Sequence, residues 1–238
     1  MRLSQSGPDP LDAGPQGFAH RGLHYGSAFP ENSLIAFAAA LEAGAGIECD
    51  VRLTADNKVV VFHDADAWRM CSNRLVIGKT AHADISRLRL GDGPIPTLES
   101  LLGLVEGHVP LLIEVKVADD VWRWMPALRE NLSAYSGPYG VMSFDPRIPR
   151  LLKTNLPTVR RGLVIRDSLP LWRRSIALWL ADPDFVAVER TALAKPWVAR
   201  IRERMPVYSW TIRTAEQRSQ ARVHADALIW EGDGRPRN

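Results

Sequence analysis

Three short clusters of imidazole and charged side chains stand at the ends of apolar runs in this sequence. They are His20-Arg21-Gly22, Glu48-Cys49-Asp50 and His63-Asp64, which follow or end the apolar segments 17–19, 46–47 and 59–62. Packing of an apolar strand does not require charged residues at its end. Two histidines can supply an acid and a base, carboxylates suit a hard cation, and an arginine suits a phosphate. The clusters therefore predict a catalytic site built from successive strand ends.

The carboxylates have the spacing of a shared face. Side chains two apart on a strand point the same way, so Glu48 and Asp50 point together while Cys49 points to the other face. Glu114 and Lys116 repeat this spacing on a later apolar run. Three carboxylates from two strands predict an oxygen-rich pocket for Mg2+ or Ca2+. The alternative is that Glu114 and Lys116 form only an ion pair at a strand end.

The two histidines and one tryptophan are the other candidates. His20 and His63 end different strands, and we expect them to face one another across the mouth of a barrel. Either one alone is also compatible with a structural histidine in a loop, but the neighbouring Arg21 and carboxylates favour catalysis. Trp210 ends a later apolar run and is expected either to contact the substrate or to pack against the mouth.

The elements that must position these residues alternate along the chain. Short, continuously apolar runs predict strands covered on both faces, at 17–20, 46–51, 59–63, 110–116, 139–143, 161–165, 184–188, 206–212 and 226–230. Helical patterns lie between most of them, at 33–44, 97–106, 119–133, 146–154, 169–181, 191–204 and 214–224. With 238 residues and 46% hydrophobic content, this alternation predicts an α/β fold, a closed (β/α)8 TIM barrel over residues 17–238.

Two places interrupt the alternation. Only eight residues separate Asp50 from Val59, which is too few for a crossover between parallel strands, so we expect a tight reversal there. The stretch 65–96 lacks a strong strand–helix rhythm and is expected to form a small insertion after the third strand, over one end of the barrel. Nine strand candidates for eight places imply that one lies outside the barrel or is not a strand.

Composition excludes several classes of protein. The net charge of +3 is small and no Lys/Arg-rich run is present, so nucleic acid is not an expected partner. No apolar run approaches 18 residues, which excludes a membrane span. Residues 1–16 are rich in Pro, Gly and Asp and are expected to form an extended tail rather than a secretory signal. Two cysteines do not make a disulfide framework, so we expect a cytoplasmic protein.

Several motifs together resemble one known family. They are Phe18-Ala19-His20-Arg21-Gly22, Pro30-Glu31-Asn32-Ser33, the segment 46–54, Val61-Phe62-His63-Asp64, Ile95-Pro96-Thr97-Leu98, Ile113-Glu114-Val115-Lys116, Ser143-Phe144 and Ser209-Trp210-Thr211-Ile212. This set, in this order, is similar to the glycerophosphodiester phosphodiesterase family. The resemblance implies a distorted TIM barrel of the phospholipase C-like phosphodiesterase type and one divalent cation, Mg2+ or Ca2+. It also implies hydrolysis of glycerophosphodiesters to sn-glycerol 3-phosphate and an alcohol.

The resemblance also implies roles for single residues. Glu48, Asp50 and Glu114 match the metal ligands of the family, and His20 and His63 match its acid/base pair. Arg21 matches the phosphate contact, and Lys116 matches a charged residue near the phosphate; both are expected to bind the substrate. The chain departs from the family after the last strand, where Trp230-Glu231 stands in place of the usual Thr-Asp pair.

Two other functions remain open. A lysophospholipase D-like enzyme at a lipid surface is suggested by segment 169–180, where one helix face carries Trp172, Ile176, Trp179 and Leu180. A helix packed on a barrel has the same pattern. Such an enzyme would contact membranes transiently. A non-catalytic barrel binding phosphorylated ligands is the second, although the complete set of candidate site residues argues against it. In each case the expected partner is a small molecule carrying phosphate.

Overall fold

The computed structural model describes residues 11–118 and 120–236. Within these residues eight parallel strands close into a ring, in the order β1-β2-β6-β7-β8-β9-β10-β11, with β11 paired back to β1. The strands are β1 (Phe18–His20), β2 (Gly46–Leu53), β3 (Val59–Val61), β4 (Arg89–Leu90), β5 (Gly93–Pro94), β6 (Leu111–Val115), β7 (Tyr139–Ser143), β8 (Arg160–Ile165), β9 (Phe185–Glu189), β10 (Val207–Ile212) and β11 (Ala227–Trp230). The predicted TIM barrel is confirmed.

Helices cover the outside of the ring. They are α1 (Leu34–Glu42), α2 (Trp68–Cys71), α3 (His82–Ile85), α4 (Leu98–Val105), α5 (Trp124–Leu132), α6 (Arg147–Asn155), α7 (Leu171–Ala181), α8 (Pro196–Arg202) and α9 (Ala215–Arg222). Their starts follow local capping chemistry: Ser33 accepts from the Ala36 amide, and Thr97 forms a reciprocal capping box with Ser100. None of the described helices has the length and apolar character needed to cross a membrane.

The ninth strand lies outside the ring. β3 runs antiparallel to β2, with Val61 opposite Val51, because the connection before it is too short for a crossover. It returns the chain to the mouth of the barrel, so that His63 follows directly. The insertion after this strand contains α2, α3 and the β4–β5 hairpin. It has a small apolar core of its own, which includes Phe62, Ile77 and Leu90.

Apolar residues fill both sides of the ring. Inside, the rings of Phe18, Phe185 and Tyr208 pack together at centroid distances of 5.0–5.8 Å. Outside, strand residues such as Ile47 and Ile113 pack against the helices in one continuous cluster. Continuous burial on both faces explains the unbroken apolar runs in the sequence.

The segment before β1 differs from the predicted extended tail where the structure describes it. Residues 1–10 of that tail lie outside the described residues. Leu11 is fully buried among the residues of the barrel interior, and Gly14–Gln16 form a short 3-10 helix. The Pro- and Gly-rich composition predicted an extended chain, but burying one leucine in the barrel is favourable and fixes this part.

Helix α7 does not pack on the barrel through its apolar face, which was one of the two expectations for this helix. Trp172, Ile176 and Trp179 do share a face, but this face is exposed: Trp172 is 61% exposed and Trp179 is 80% exposed. It is therefore not the face that packs on the barrel. Arg174 and Ala181 are the buried residues of the helix.

Candidate active site

Three buried carboxylates meet at the mouth of the barrel. Glu48 and Asp50 project from β2, and the strand register places Glu114 of β6 beside Asp50. One oxygen from each of the three lies within 4.8 Å of the others. Cys49 points the opposite way, into the cluster between the strands and the helices. The structure thus brings together the three ligands suggested by the sequence.

The negative charge of this cluster is only partly neutralised. Burial, and then repulsion by its neighbours, raises the pKa of Glu48 well above its usual value, and burial raises the pKa of Glu114 to about 7. Burial acts in the same direction on Asp50, but the Lys116 ammonium and the Arg21 guanidinium outweigh it and lower the pKa of this carboxyl. The ammonium contacts Glu114 and lies 2.9 Å from Asp50 Oδ1.

Three carboxylate oxygens of this cluster, Glu48 Oε1, Asp50 Oδ1 and Glu114 Oε1, are buried without a hydrogen-bond partner among the described residues. The last two lie within ion-pair distance of the Lys116 ammonium. Proteins rarely leave such buried oxygens without an occupant. The three donors are carboxylates, the hard oxygen ligands that Mg2+ and Ca2+ take. The residues present therefore fit a divalent cation.

Arg21 is held by the carboxylates around it. Its Nε lies 3.0 Å from Asp50 Oδ2 and its Nη1 donates to Glu31 Oε1 at 2.8 Å. Its backbone N–H donates to Glu48 Oε2 at 3.0 Å. These contacts fix a left-handed backbone with φ of 57°, which non-glycine residues rarely adopt. Gly22 follows with φ of 80°, and a Cβ there would lie 2.9 Å from the backbone of α1, so the loop needs glycine at this point.

His20 is oriented by Glu231. Its Nδ1 lies 2.9 Å from Glu231 Oε2, and its Nε2 faces the carboxylate cluster, 3.9 Å from Glu48 Oε2. Burial lowers the pKa of His20, while the hydrogen bond from His20 is the largest cause that lowers the pKa of Glu231 far below its usual range. Arg213 pairs with the same carboxylate, and His24 Nε2 lies 3.6 Å from it.

His63 belongs to a chain of ion pairs that ends at Arg21. His63 Nδ1 lies 2.7 Å from Asp64 Oδ1, and Arg69 Nε donates to Asp64 Oδ2 at 2.6 Å. Arg69 also donates to both oxygens of Glu31, at 2.6 and 2.9 Å, and Glu31 is the partner of Arg21. Burial lowers the pKa of His63, and the hydrogen bond with Asp64 opposes this effect.

A cavity of about 190 Å3 connects these groups. Its lining includes the sequence candidates other than the buried Asp50, namely His20, Arg21, Glu48, His63, Glu114, Lys116 and Trp210. Trp210 donates from its indole N–H to the Ala187 carbonyl at 3.0 Å and meets Phe144 edge-on at 5.5 Å. The ring is therefore fixed as one wall of the cavity.

Several residues of the site were not predicted from the sequence. Arg166 and Arg213 line the cavity, and each directly follows a strand of the ring, which was the available signal. Asn32 donates from its side chain to Asp50 Oδ2 at 2.9 Å, although its motif had been noticed without a role. Glu231 had been noted only as a departure from the family pattern. Nothing in the sequence alone indicated that Arg69 bridges Asp64 and Glu31.

Comparisons with known proteins show which family the chain resembles. Residues 20–231 match the sequence model of the glycerophosphoryl diester phosphodiesterase family. A glycerophosphodiester phosphodiesterase of Bacillus altitudinis is 32% identical over 124 residues, which is 48% of this chain and 49% of the relative, so this match spans about half of that protein. A glycerophosphodiester phosphodiesterase of Caldanaerobacter subterraneus is 29% identical over 166 residues, covering 63% of this chain and 67% of the relative.

Solved structures extend the likeness to the whole barrel. An Oleispira antarctica phosphodiesterase, in complex with sn-glycerol-3-phosphate, has a TM-score of 0.82 at 23% identity, covering 92% of this chain and 94% of that one. A glycerophosphodiester phosphodiesterase of Thermotoga maritima has a TM-score of 0.74 at 26% identity, covering 90% and 92%. With the family match running from His20 to Glu231, the chain belongs to the glycerophosphoryl diester phosphodiesterase family of enzymes.

Proposed function

We propose that this protein hydrolyses glycerophosphodiesters to sn-glycerol 3-phosphate and an alcohol. The observation that carries the proposal is that His20 and His63 line one cavity with two of three clustered carboxylates. Four cationic side chains also line it, Arg21, Lys116, Arg166 and Arg213, and they suit an anionic phosphodiester. The sn-glycerol-3-phosphate bound to the similar O. antarctica protein supports the same product here.

Glu48, Asp50 and Glu114 would hold one divalent cation, Mg2+ or Ca2+. When bound, the cation would offset the negative charge that builds up on the phosphoryl oxygens in the transition state. Arg21 and Lys116 add positive charge from the protein itself. Because the anionic oxygens of a phosphodiester repel nucleophiles, this neutralisation is the main requirement of the reaction.

The two histidines divide the proton transfers. Glu231 accepts a hydrogen bond from the Nδ1–H of His20. In this tautomer Nε2 carries the lone pair, so Nε2 can take a proton from the attacking oxygen. Burial keeps this imidazole neutral near pH 7. His63 acts in its protonated form, because Asp50 and the hydrogen bond to Asp64 both favour the imidazolium against the effect of burial. Its Nδ1–H donates to Asp64, and its Nε2–H gives the proton to the leaving alcohol. The attacking oxygen belongs either to water or to a neighbouring glycerol hydroxyl, which would first form a cyclic phosphate.

Release of sn-glycerol 3-phosphate from sn-glycero-3-phosphocholine by the purified protein tests the function. We expect turnover with Mg2+ or Ca2+, loss of turnover in EDTA, and inactivity of folded Glu48→Gln. His63→Ala should lose roughly 10²–10⁴ in rate but recover part of it with bis(p-nitrophenyl) phosphate, whose leaving group needs no proton. His20→Ala should not recover. A protein that binds the diester without turning it over would instead be the non-catalytic barrel.

The exposed face of α7 favours a second candidate, a lysophospholipase D-like activity at lipid surfaces. Leu171, Trp172, Ile176 and Trp179 are exposed together, and the guanidinium of Arg173 lies 5.1 Å from the Trp172 ring. Tryptophan and arginine are residues that favour an anionic membrane surface. The helix follows β8, whose end carries Arg166 at the cavity, so a membrane on this face would lie near the site.

Vesicle sedimentation tests this second candidate. The wild type should bind anionic vesicles and hydrolyse lysophosphatidylcholine, and Trp172→Ala/Trp179→Ala should weaken both while leaving glycerophosphocholine turnover unchanged. Trp122→Ala, which removes a tryptophan that is 65% exposed outside α7, is the matched control. Equal effects of the two variants, or no binding by the wild type, would exclude a membrane role for α7.

A further inference from the structure

A second cavity lies beside the catalytic one. Its volume is about 110 Å3, and Lys116 lines both cavities. Three groups of described residues form its walls: the end of β2, part of the insertion near Val76–Lys79, and lining residues that follow β6, among them Ala118 and Arg123. The cavity is therefore an extension of the site toward the insertion.

The described lining of this cavity is strongly cationic. It carries four positive side chains, Arg52, Lys79, Lys116 and Arg123, and one carboxylate, Asp120. Lys116 is paired with the carboxylate cluster, but no described carboxylate lies within the ion-pair distance of 4.0 Å from the other three. Three cations outside any ion pair thus face one carboxylate in the described lining, and this excess of positive charge in a concave site attracts an anionic ligand.

Hydrogen bonds hold the walls in place. Arg123 donates to Asn57 Oδ1 at 2.8 Å and to the Thr54 carbonyl at 3.0 Å, which ties the segment after β6 to the β2–β3 turn. The Ala55 amide donates to the Thr80 carbonyl at 2.9 Å, which ties the insertion to the same turn. The cavity is thus preorganised and does not depend on a ligand for its shape.

The second cavity lies on the His63 side of the site, and this position indicates how a bound substrate is oriented. Arg52 Nε donates to the backbone carbonyl of His63 at 2.9 Å, and Ala65, two residues further on, lines the cavity. His63 is the group assigned to the leaving oxygen, so the leaving alcohol lies on this side. The glycerol phosphate would remain in the first cavity.

We propose that the cavity lined by Arg52, Lys79 and Arg123 binds an anionic group carried by the leaving alcohol, so that the preferred substrates are glycerophosphodiesters with a phosphorylated or carboxylated leaving group. This inference rests on the proposed function and makes it more specific. Cationic leaving groups such as choline or ethanolamine gain nothing from this cavity.

A matched pair of substrates tests the inference. sn-Glycero-3-phosphoglycerol and the same diester with a terminal phosphate on the leaving glycerol differ only in the group that the cavity would bind. The wild type should show a kcat/KM about tenfold higher for the phosphorylated diester, mainly through KM, since charge-assisted contacts of this kind contribute that much. High salt should reduce the preference.

Substitutions of Lys79 test the second cavity without changing a residue of the catalytic cavity. Lys79→Gln should reduce the preference roughly threefold and Lys79→Glu should abolish it, both with unchanged kcat/KM for the unphosphorylated diester. Lys58→Gln is the control, because Lys58 lies on the β2–β3 turn to which the cavity walls are tied but pairs with Glu99 and does not line the cavity. A wild type without preference, or a preference that survives both Lys79 variants, would overturn the inference.

Hydrolysis of neither diester would contradict the proposed function. Calorimetric titration of both compounds would then decide separately whether the cavity binds an anionic group.

Discussion

Glu231 fixes which nitrogen of His20 can react. A carboxylate only accepts hydrogen bonds, so the nitrogen 2.9 Å away must carry a proton and the other must be free of one. Arg213 neutralises part of the Glu231 charge without displacing it from His20. The carboxylate also stabilises the imidazolium that forms when His20 takes a proton. A single acidic residue thereby selects both the tautomer and the role of the base.

Glu231→Gln is predicted to slow the reaction with little change in KM. Its amide can donate to Nδ1 and favour the wrong tautomer, so kcat should fall roughly 10–100-fold, the usual cost of losing such a partner. Because the folded pKa of Glu231 is lowered far below its usual range, its stabilisation is fully present above the unfolded pKa and is lost as the pH falls from there toward the folded pKa. The Tm of the variant should therefore be lower than that of wild type at pH 7, and the difference should narrow between about pH 5 and pH 3 without vanishing. A kcat equal to wild type, or a Tm difference independent of pH, would contradict this role.

Arg21→Lys is predicted to lose activity and some stability. An ammonium cannot bridge Asp50 and Glu31 and still present a planar fork to phosphate, so kcat/KM should fall about tenfold or more. Tm should also fall, because both ion pairs are partly buried. Glu31→Gln is the comparison: it removes the ion pairs of Glu31 with Arg21 and Arg69 but keeps the guanidinium of Arg21, so it should lower kcat/KM less than Arg21→Lys does. If Glu31→Gln loses as much activity as Arg21→Lys, Arg21 only braces the loop.

Helix α2 couples the insertion to the catalytic site. The helix has only four residues, and none of them is fully buried, although Met70 and Cys71 pack against the apolar core of the insertion. Arg69 on this helix joins Asp64 to Glu31, and through them His63 to Arg21. Packing and ion pairs thus both hold this short helix, and the ion pairs orient two residues of the site.

Arg69→Leu is predicted to lower kcat/KM roughly tenfold, because Asp64 and Glu31 lose their common partner and both site residues become less well oriented. Global stability should change little, because 47% of the Arg69 side chain is exposed. Arg74→Leu tests the specificity of the effect: Arg74 lies over the Trp68 ring in the same insertion and has no contact with the site. Steady-state kinetics of both variants give kcat/KM, and thermal melts give their stability. An equal loss of kcat/KM in the two variants would exclude the proposed coupling.

In the barrel as a whole, the residues that stabilise the fold and the residues of the candidate site lie in different places. Its apolar interior contains Leu11, Phe18, Phe185 and Tyr208, and the charged cavity occupies the end where the parallel strands finish. Leu11 reaches the interior from a segment that precedes the first strand. We therefore expect changes at Leu11 to affect folding and leave the site intact.

Leu11→Ala is predicted to lower the free energy of unfolding by about 2–5 kcal/mol, the usual cost of a buried leucine truncation. The kcat of the folded variant should equal that of wild type. Urea denaturation gives the first quantity and steady-state kinetics gives the second. Leu171→Ala, at a position 68% exposed, should change stability by less than about 0.5 kcal/mol. A variant of Leu11 as stable as wild type would show that this leucine does not help to stabilise the barrel.

The sequence by itself determined the barrel and most of the first layer of the site. Continuous apolar runs separated by helical patterns specify strands buried on both faces, and polar residues at their ends mark the mouth. This local pattern predicts His20, Glu48, Asp50, His63 and Glu114 as candidates, and the structure brings them together at the mouth. The short link between Asp50 and Val59 likewise predicted the reversal that places β3 outside the ring.

The tertiary structure alone decided which charges meet and which faces remain open. His20 and Glu231 are 211 residues apart, and only closure of the ring through the β1–β11 pairing brings them together. The exposed face of α7 was equally undetermined, because hydrophobic periodicity shows which residues share a face but not whether another element covers it. Leu11 was missed for the same reason: burial depends on the space that distant strands enclose, and that space is absent from the local pattern.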